Sequence, residues 1–136
     1  MAGGIRIPKD GSIFITVGGD KTDIAEPARM LSEKFRIYAT DTTAEFLSSK
    51  GIKCETLYKV NEDKQPNLLD YLIGKKLDMV VNIPSLSSNV VQTIQDERLI
   101  RKKSVEFGVP VITDMQLFRT MANVLRRDDV EEMMSV

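Results

Sequence analysis

Lys21, Lys59, Thr40, Thr42, Thr43, Asn82 and Ser85 are the residues of this sequence whose chemistry combines most readily. Ammonium groups supply point charges, hydroxyls donate hydrogen bonds, and an amide offers both a donor and an acceptor. Joined to the backbone N–H groups of a helix start, such a set is what an anionic group, a phosphate above all, requires. Asn82 would suit a ribose, a base edge or an amide. Absences narrow the chemistry further. The 136 residues include no histidine and a single cysteine, Cys54. That removes Ser-His-Asp and Cys-His nucleophiles, a histidine general base, and histidine-rich or thiolate metal sites within one chain. Catalysis would have to run on carboxylates, lysines or threonines, so a binding module is the simpler expectation.

The elements that must position these residues alternate regularly. Ser12 to Val17 is a β-branched run ending at Gly18-Gly19, and a helix is expected from about Asp23 to Lys34, with Pro27 in its first turn. Phe35 to Ala39 reads as a second strand. Thr42-Thr43-Ala44-Glu45 has capping-box spacing, and the helix it opens should stop at Gly51. Lys53 to Leu57 makes a third strand. After a polar loop, Asn67 caps a short helix through Ile73. Asp78 to Ile83 is the most apolar strand and Val109 to Thr113 the fifth. A serine-rich loop from Ser85 to about Gln95 should precede a helix over Asp96 to Phe107. The last helix runs from Asp114 to about Arg126, with Leu117, Phe118, Met121, Ala122 and Leu125 inward. Short strands alternating with helices imply an α/β fold, a three-layer sandwich whose five-stranded, mainly parallel sheet carries helices on both faces.

In such sheets ligands sit beyond the carboxyl ends of the strands. This gathers the candidates: Gly18, Gly19, Asp20 and Lys21; Thr40, Asp41, Thr42 and Thr43; Tyr58 and Lys59; Asn82, Ser85, Ser87, Ser88 and Asn89; Thr113 and Asp114. Each has a plainer reading. Thr42 and Thr43 can simply cap a helix, Gly18-Gly19 can be a turn, the lysines solvated and the serines a linker. Arg98, Arg101, Lys102 and Lys103 read as a wet helix face with Glu97 and Glu106. Cys54 reads as a small core or half-buried residue and not as a redox centre. Asn82 resists this treatment, because a buried amide needs partners.

Composition bounds the class. Nineteen basic against twenty acidic side chains argue against a general nucleic-acid binder, and the apolar runs are too short to span a membrane. One cysteine supports no intrachain disulfide, so a reducing cytoplasm is the expected home. Residues 1–10 read as a flexible lead or expression scar, 11–126 as one domain, and 127–136 as a charged tail expected to fray.

The segment from Ile37-Tyr38-Ala39-Thr40 through Thr43-Ala44 and Leu47 to Gly51-Ile52 resembles the "AT-x-x-TA-x-x-L…GI" signature of methylglyoxal-synthase-like domains. The likeness continues through Lys59-Val60, Pro66 to Asp70, Asp78 to Asn82, Ile100-Arg101-Lys102 and Gly108 to Thr113. Methylglyoxal synthases use histidines that this chain lacks, and inosinate cyclohydrolase domains carry a Lys-Thr-Leu-His segment that is missing here. Gly19-Asp20-Lys21, Tyr58-Lys59-Val60, Pro66 to Asp70 and Ile100 to Ser104 resemble most the C-terminal allosteric domain of the carbamoyl phosphate synthetase large chain.

That resemblance implies regulation. In the bacterial type the domain binds UMP as inhibitor and IMP as activator, with ornithine bound nearby; in the urea-cycle type the same pocket takes N-acetylglutamate. The phosphate-binding lysine and threonine positions fall on Lys21, Thr40, Thr43 and Lys59, and the asparagine on Asn82. The N-acetylglutamate type carries tryptophan where Lys59 stands, so a nucleotide is the expected effector. Asn82-Ile83-Pro84-Ser85 departs from the bacterial "N-T-T-S", and Ile112-Thr113 stands where ornithine-binding members have Asp-Thr. The expected partners are the rest of the synthetase large chain, its glutaminase subunit and a small anionic effector, with no nucleic acid, no membrane and a possible homo-oligomer. The domain itself would need no cofactor and turn nothing over. The competing expectations are a lyase acting on dihydroxyacetone phosphate, with Asp41 or Asp63 as base, and a purely structural docking module.

Overall fold

Strand formation follows the β-branched runs. Ser12–Val17 (β1), Arg36–Ala39 (β2), Glu55–Thr56 (β3), Met79–Ile83 (β4) and Val111–Ile112 (β5) form one sheet in the order β3-β2-β1-β4-β5, and every pairing is parallel. The helices between them are Ala25–Ser32 (α1), Asp41–Ser49 (α2), Leu68–Ile73 (α3), Val91–Glu106 (α4) and Met115–Ser135 (α5). The chain is described by a computed structural model covering residues 7, 10–59, 63–85 and 91–135, with the backbone alone at 92, 93 and 127–135. The expected lead at 1–6, Val60, the serines Ser87 and Ser88, and Asn89 lie outside the described residues. No helix among the described residues is long and apolar enough to cross a membrane.

Alternation along the strands sorts the core into two. Ile13, Ile15, Ile37, Met79, Val81 and Ile112 pack with Ala28 and Leu31 of α1, Leu47 of α2 and Phe118, Met121 and Leu125 of α5. Phe14, Tyr38 and Val80 face the other way, against Leu68 and Leu72 of α3 and Ile100 of α4. The result is the expected three-layer α/β sandwich, with β1 at its buried centre. Burying both faces of β1 is what its apolar centre requires, since Ile13 and Ile15 point to one face and Phe14 to the other.

The local stops hold as well. Gly51 and Gly108 adopt φ values of 75° and 74°, the left-handed geometry that ends a helix cheaply only at glycine. Asn67 caps α3 by accepting the Leu69 N–H at 2.8 Å.

Several boundaries differ from expectation. The edge strands are short, with β3 and β5 pairing only over Glu55–Thr56 and Val111–Ile112 where Lys53 to Leu57 and Val109 to Thr113 were expected. A 3-10 turn over Thr22–Ile24 precedes α1, because Asp20 accepts both the N–H and the hydroxyl of Thr22 and tightens the chain there. Thr40, not Thr42, is the N-cap of α2, so the Thr42–Glu45 capping box does not form. Helix α4 begins at Val91, inside the expected loop. Its first turn leaves Val91 and Ile94 exposed, so no inward apolar stripe announces it. Helix α5 continues past Arg126 to Ser135, and Leu117, expected inward, is exposed.

Candidate anion-binding rim

Strand order and alternation together build a polar row at the carboxyl end of the sheet. Phe14 stands opposite Tyr38 on one side and Val80 on the other, an apolar row beneath α3 and α4. Two residues further along the same face the side chains become Thr16, Thr40 and Asn82, with Thr16 in register with Asn82. Because side chains repeat every second residue, the polar set must emerge where the apolar one ends.

The hydroxyls of this row are buried and interlinked. Thr16 Oγ1 lies 3.1 Å from Thr40 Oγ1, and Thr40 in turn donates to Thr43 Oγ1 at 3.4 Å. Thr43, which is fully buried, also accepts the backbone N–H of Val17 at 3.2 Å. Although Thr40 occupies the N-cap, its hydroxyl makes no cap bond and turns toward Thr16; its carbonyl accepts the Ala44 N–H at 2.7 Å. Thr42, by contrast, is exposed, and its N–H bonds to the Asp41 carboxylate at 2.9 Å.

Asn82 is 1% exposed, and its Oδ1 accepts a hydrogen bond from Arg101 Nη1 at 2.9 Å. Arg101, expected on a solvated face, turns its guanidinium inward, against the rim. A charge-assisted bond to a buried amide holds that amide's orientation. Lys59, half-buried behind β3, lies 3.4 Å from Asp96 Oδ2. The Ser85 N–H, beyond β4, donates to Glu97 Oε1 at 3.3 Å. Glu97 also closes on the loop after β1: a Cβ at Gly18 would sit 2.8 Å from its Oε1 and 3.1 Å from the Ser85 nitrogen. The Glu97 side chain can swing aside, but the Ser85 backbone cannot do so as readily, and its approach is what favours glycine here. Lys21 directs its ammonium to the Gly19 carbonyl at 3.2 Å, within its own loop. Beside it, the backbone N–H and then the hydroxyl of Thr22 hold the Asp20 carboxyl below the usual aspartate range.

Thr16, Thr40, Thr43, Asn82, Lys59 and Ser85 therefore share one rim, whereas Lys21 bonds locally and Thr42 points outward. Thr16 and Arg101 join this rim without being among the expected candidates. Alternation from Phe14 would have found Thr16; the need of Asn82 for a partner pointed at Arg101 without naming it. Among the described residues no buried side-chain nitrogen or oxygen lacks a partner, so the rim's polar groups satisfy one another. No group of three metal-ligating side chains is found among them either. A separate cleft of about 310 Å³ lies between α1 and α5, lined by Thr22, Asp23, Glu26, Pro27, Met30, Arg119 and Asn123. An ion pair between Arg119 and Asp23 at 3.1 Å spans it, and it includes none of the rim residues.

Comparison with known proteins gives the same part of the chain a context. Residues 23–113 match the description of the MGS-like domain family. The carbamoyl phosphate synthase large chain of Thermoplasma acidophilum is 36% identical over 122 residues, 88% of this chain and 11% of that one. The large chain of Thermoplasma volcanium is 30% identical over 122 residues, with the same coverage. A C-terminal section of the large chain from Aquifex aeolicus is 35% identical over 118 residues, 85% of this chain and 21% of that section. The chain thus spans only about a ninth of the length of the first two relatives.

Proposed function

The chain belongs to the MGS-like domain family, and from that membership we propose that it is the effector-binding regulatory module of a carbamoyl phosphate synthase large chain. Its ligand is a small phosphorylated anion of the UMP or IMP type, held at the carboxyl rim of the sheet. The observation that carries this reading is the gathering of Thr40, Thr43, Lys59, Asn82 and Ser85 from three successive strand ends onto one rim. Lys59 supplies charge, while the buried Thr40 and Thr43 hydroxyls beside the start of α2 and the Asn82 amide, held by Arg101, form the polar floor on which the ligand would rest. The remainder of the large chain and its glutaminase subunit are the partners this role implies. Control follows from linkage: a ligand that prefers one arrangement of the module against its neighbours shifts the synthetase by about 1–3 kcal/mol. The module binds and does not catalyse.

Titration calorimetry with UMP and IMP tests the reading. Binding by the intact protein, lost in Lys59→Ala and Thr43→Ala, is the expected result. Folded protein with no heat at millimolar ligand, or both variants binding as tightly as the parent, rejects it. N-acetylglutamate belongs in the same titration, because Asn82-Ile83-Pro84 resembles the "N-L-P" of that effector class; binding of it alone would change the effector and keep the rim.

A further inference from the structure

Helix α4 covers the rim in an unusual way. Glu97 and Arg101 stand one turn apart, and Asp96 lies one turn before Ile100 and two before Ser104, both of which are buried. The side of the helix that is anchored in the core therefore delivers all three charged groups to the strand ends. Asp96 meets Lys59, Glu97 meets the Ser85 N–H, and Arg101 meets Asn82. Two of these partners, an ammonium and a backbone N–H, are the groups an anionic ligand would use. A carboxylate presents the same kind of oxygen acceptors as a phosphate, at lower charge.

We propose that α4 is an internal latch: the carboxylates of Asp96 and Glu97 hold the anion positions of the rim, and a phosphorylated ligand binds by displacing them. This rests on the rim being the effector site and adds how occupancy becomes a signal. The phosphate takes Lys59 and the Ser85 N–H, Asp96 gives up its bond to Lys59 and Glu97 its bond to Ser85, and the first half of α4 shifts while Arg101 stays on Asn82. The element that moves is thus the one that bridges the loops after β1, β3 and β4. Contacts that differ between two states are what a ligand needs in order to bias them.

The test is titration of the whole protein with inorganic phosphate, UMP and IMP, comparing the parent with Asp96→Asn, Glu97→Gln and the double variant. Glu45→Gln, which neutralises an exposed carboxylate on α2, controls for general charge. Removing an ion pair of this exposure should tighten binding by up to about five-fold, with the double variant tighter still and Glu45→Gln unchanged. In the parent, saturating ligand should shift the Ser85 amide resonance, and by a different amount in Glu97→Gln, where the competing carboxylate is gone. If the parent binds UMP or IMP but Asp96→Asn and Glu97→Gln bind equally or more weakly while melting normally, the latch is wrong and the rim remains the site. Equal tightening by Glu45→Gln also overturns the latch, since the effect would then be long-range charge. If neither parent nor variants bind any of the three anions, the rim assignment itself fails and the latch with it.

Discussion

Asn82 and Arg101 form the most consequential pair of side chains in the molecule, because the amide is sealed from water and its oxygen depends on one guanidinium. Arg101→Ala leaves that oxygen buried without its partner, and a loss of about 1–3 kcal/mol in urea unfolding is expected. The same variant should weaken effector binding, since the amide loses its fixed orientation. Two titrating side chains give predictions of a different kind. Burial pushes the Cys54 thiol above its ordinary range, with a smaller opposing bond from Ser48. The thiol is therefore neutral at pH 7, and maleimide labelling of the native protein should be slow and accelerate as pH rises. Burial, then the neighbouring Tyr71 and Glu55, raises the Tyr38 phenol as well. A folded-state value above the unfolded one means the contribution is complete below the ordinary tyrosine value of about 10. Stability should fall as pH rises beyond that point, and less so in Tyr38→Phe; denaturation at pH 9 and pH 11 checks the difference.

Helix α2 shows how one element serves both the core and the rim. Leu47 and Ala44 enter the larger core, while Thr40 and Thr43 at its start face the strand ends. Its stop at Gly51 depends on the positive φ, and a methyl group there would meet nothing within 4 Å. Gly51→Ala should therefore cost only the backbone term, about 1–2 kcal/mol, with ligand affinity preserved. Helix α5 gives the larger response, because Phe118 is fully buried against the sheet. Phe118→Ala is expected to lose about 3–5 kcal/mol in the same unfolding measurement.

At the scale of the whole molecule, the sheet order places β1 between β2 and β4, and this converts separate loops into one rim. A ligand that binds only the folded molecule must stabilise it. UMP or IMP at about a hundred times its dissociation constant should add about 2.7 kcal/mol. A rise in melting temperature that follows the nucleotide concentration, and disappears in Lys59→Ala, is the expected record of that linkage. A rise in both proteins would place the ligand elsewhere, with the cleft between α1 and α5 the next surface to test.

Much of this architecture was readable before any coordinate. β-Branched runs such as Ile13 to Val17 identify strands, glycines at 51 and 108 mark the helix stops, and the regular alternation of strands with helices dictates a parallel sheet and the end at which polar residues collect. Periodicity along a strand says which residues share a face, but not which strand lies beside it. Only the tertiary structure could therefore set Thr16 against Thr40 and Asn82. The same limit hid the first turn of α4, which is exposed and lacks an inward stripe, whereas the helix from Asp96 onward is legible. Ile100 and Ser104 fix which side of that helix is buried, but only the contact between layers decides which strand ends Asp96, Glu97 and Arg101 meet, because local sequence does not say what lies across from them.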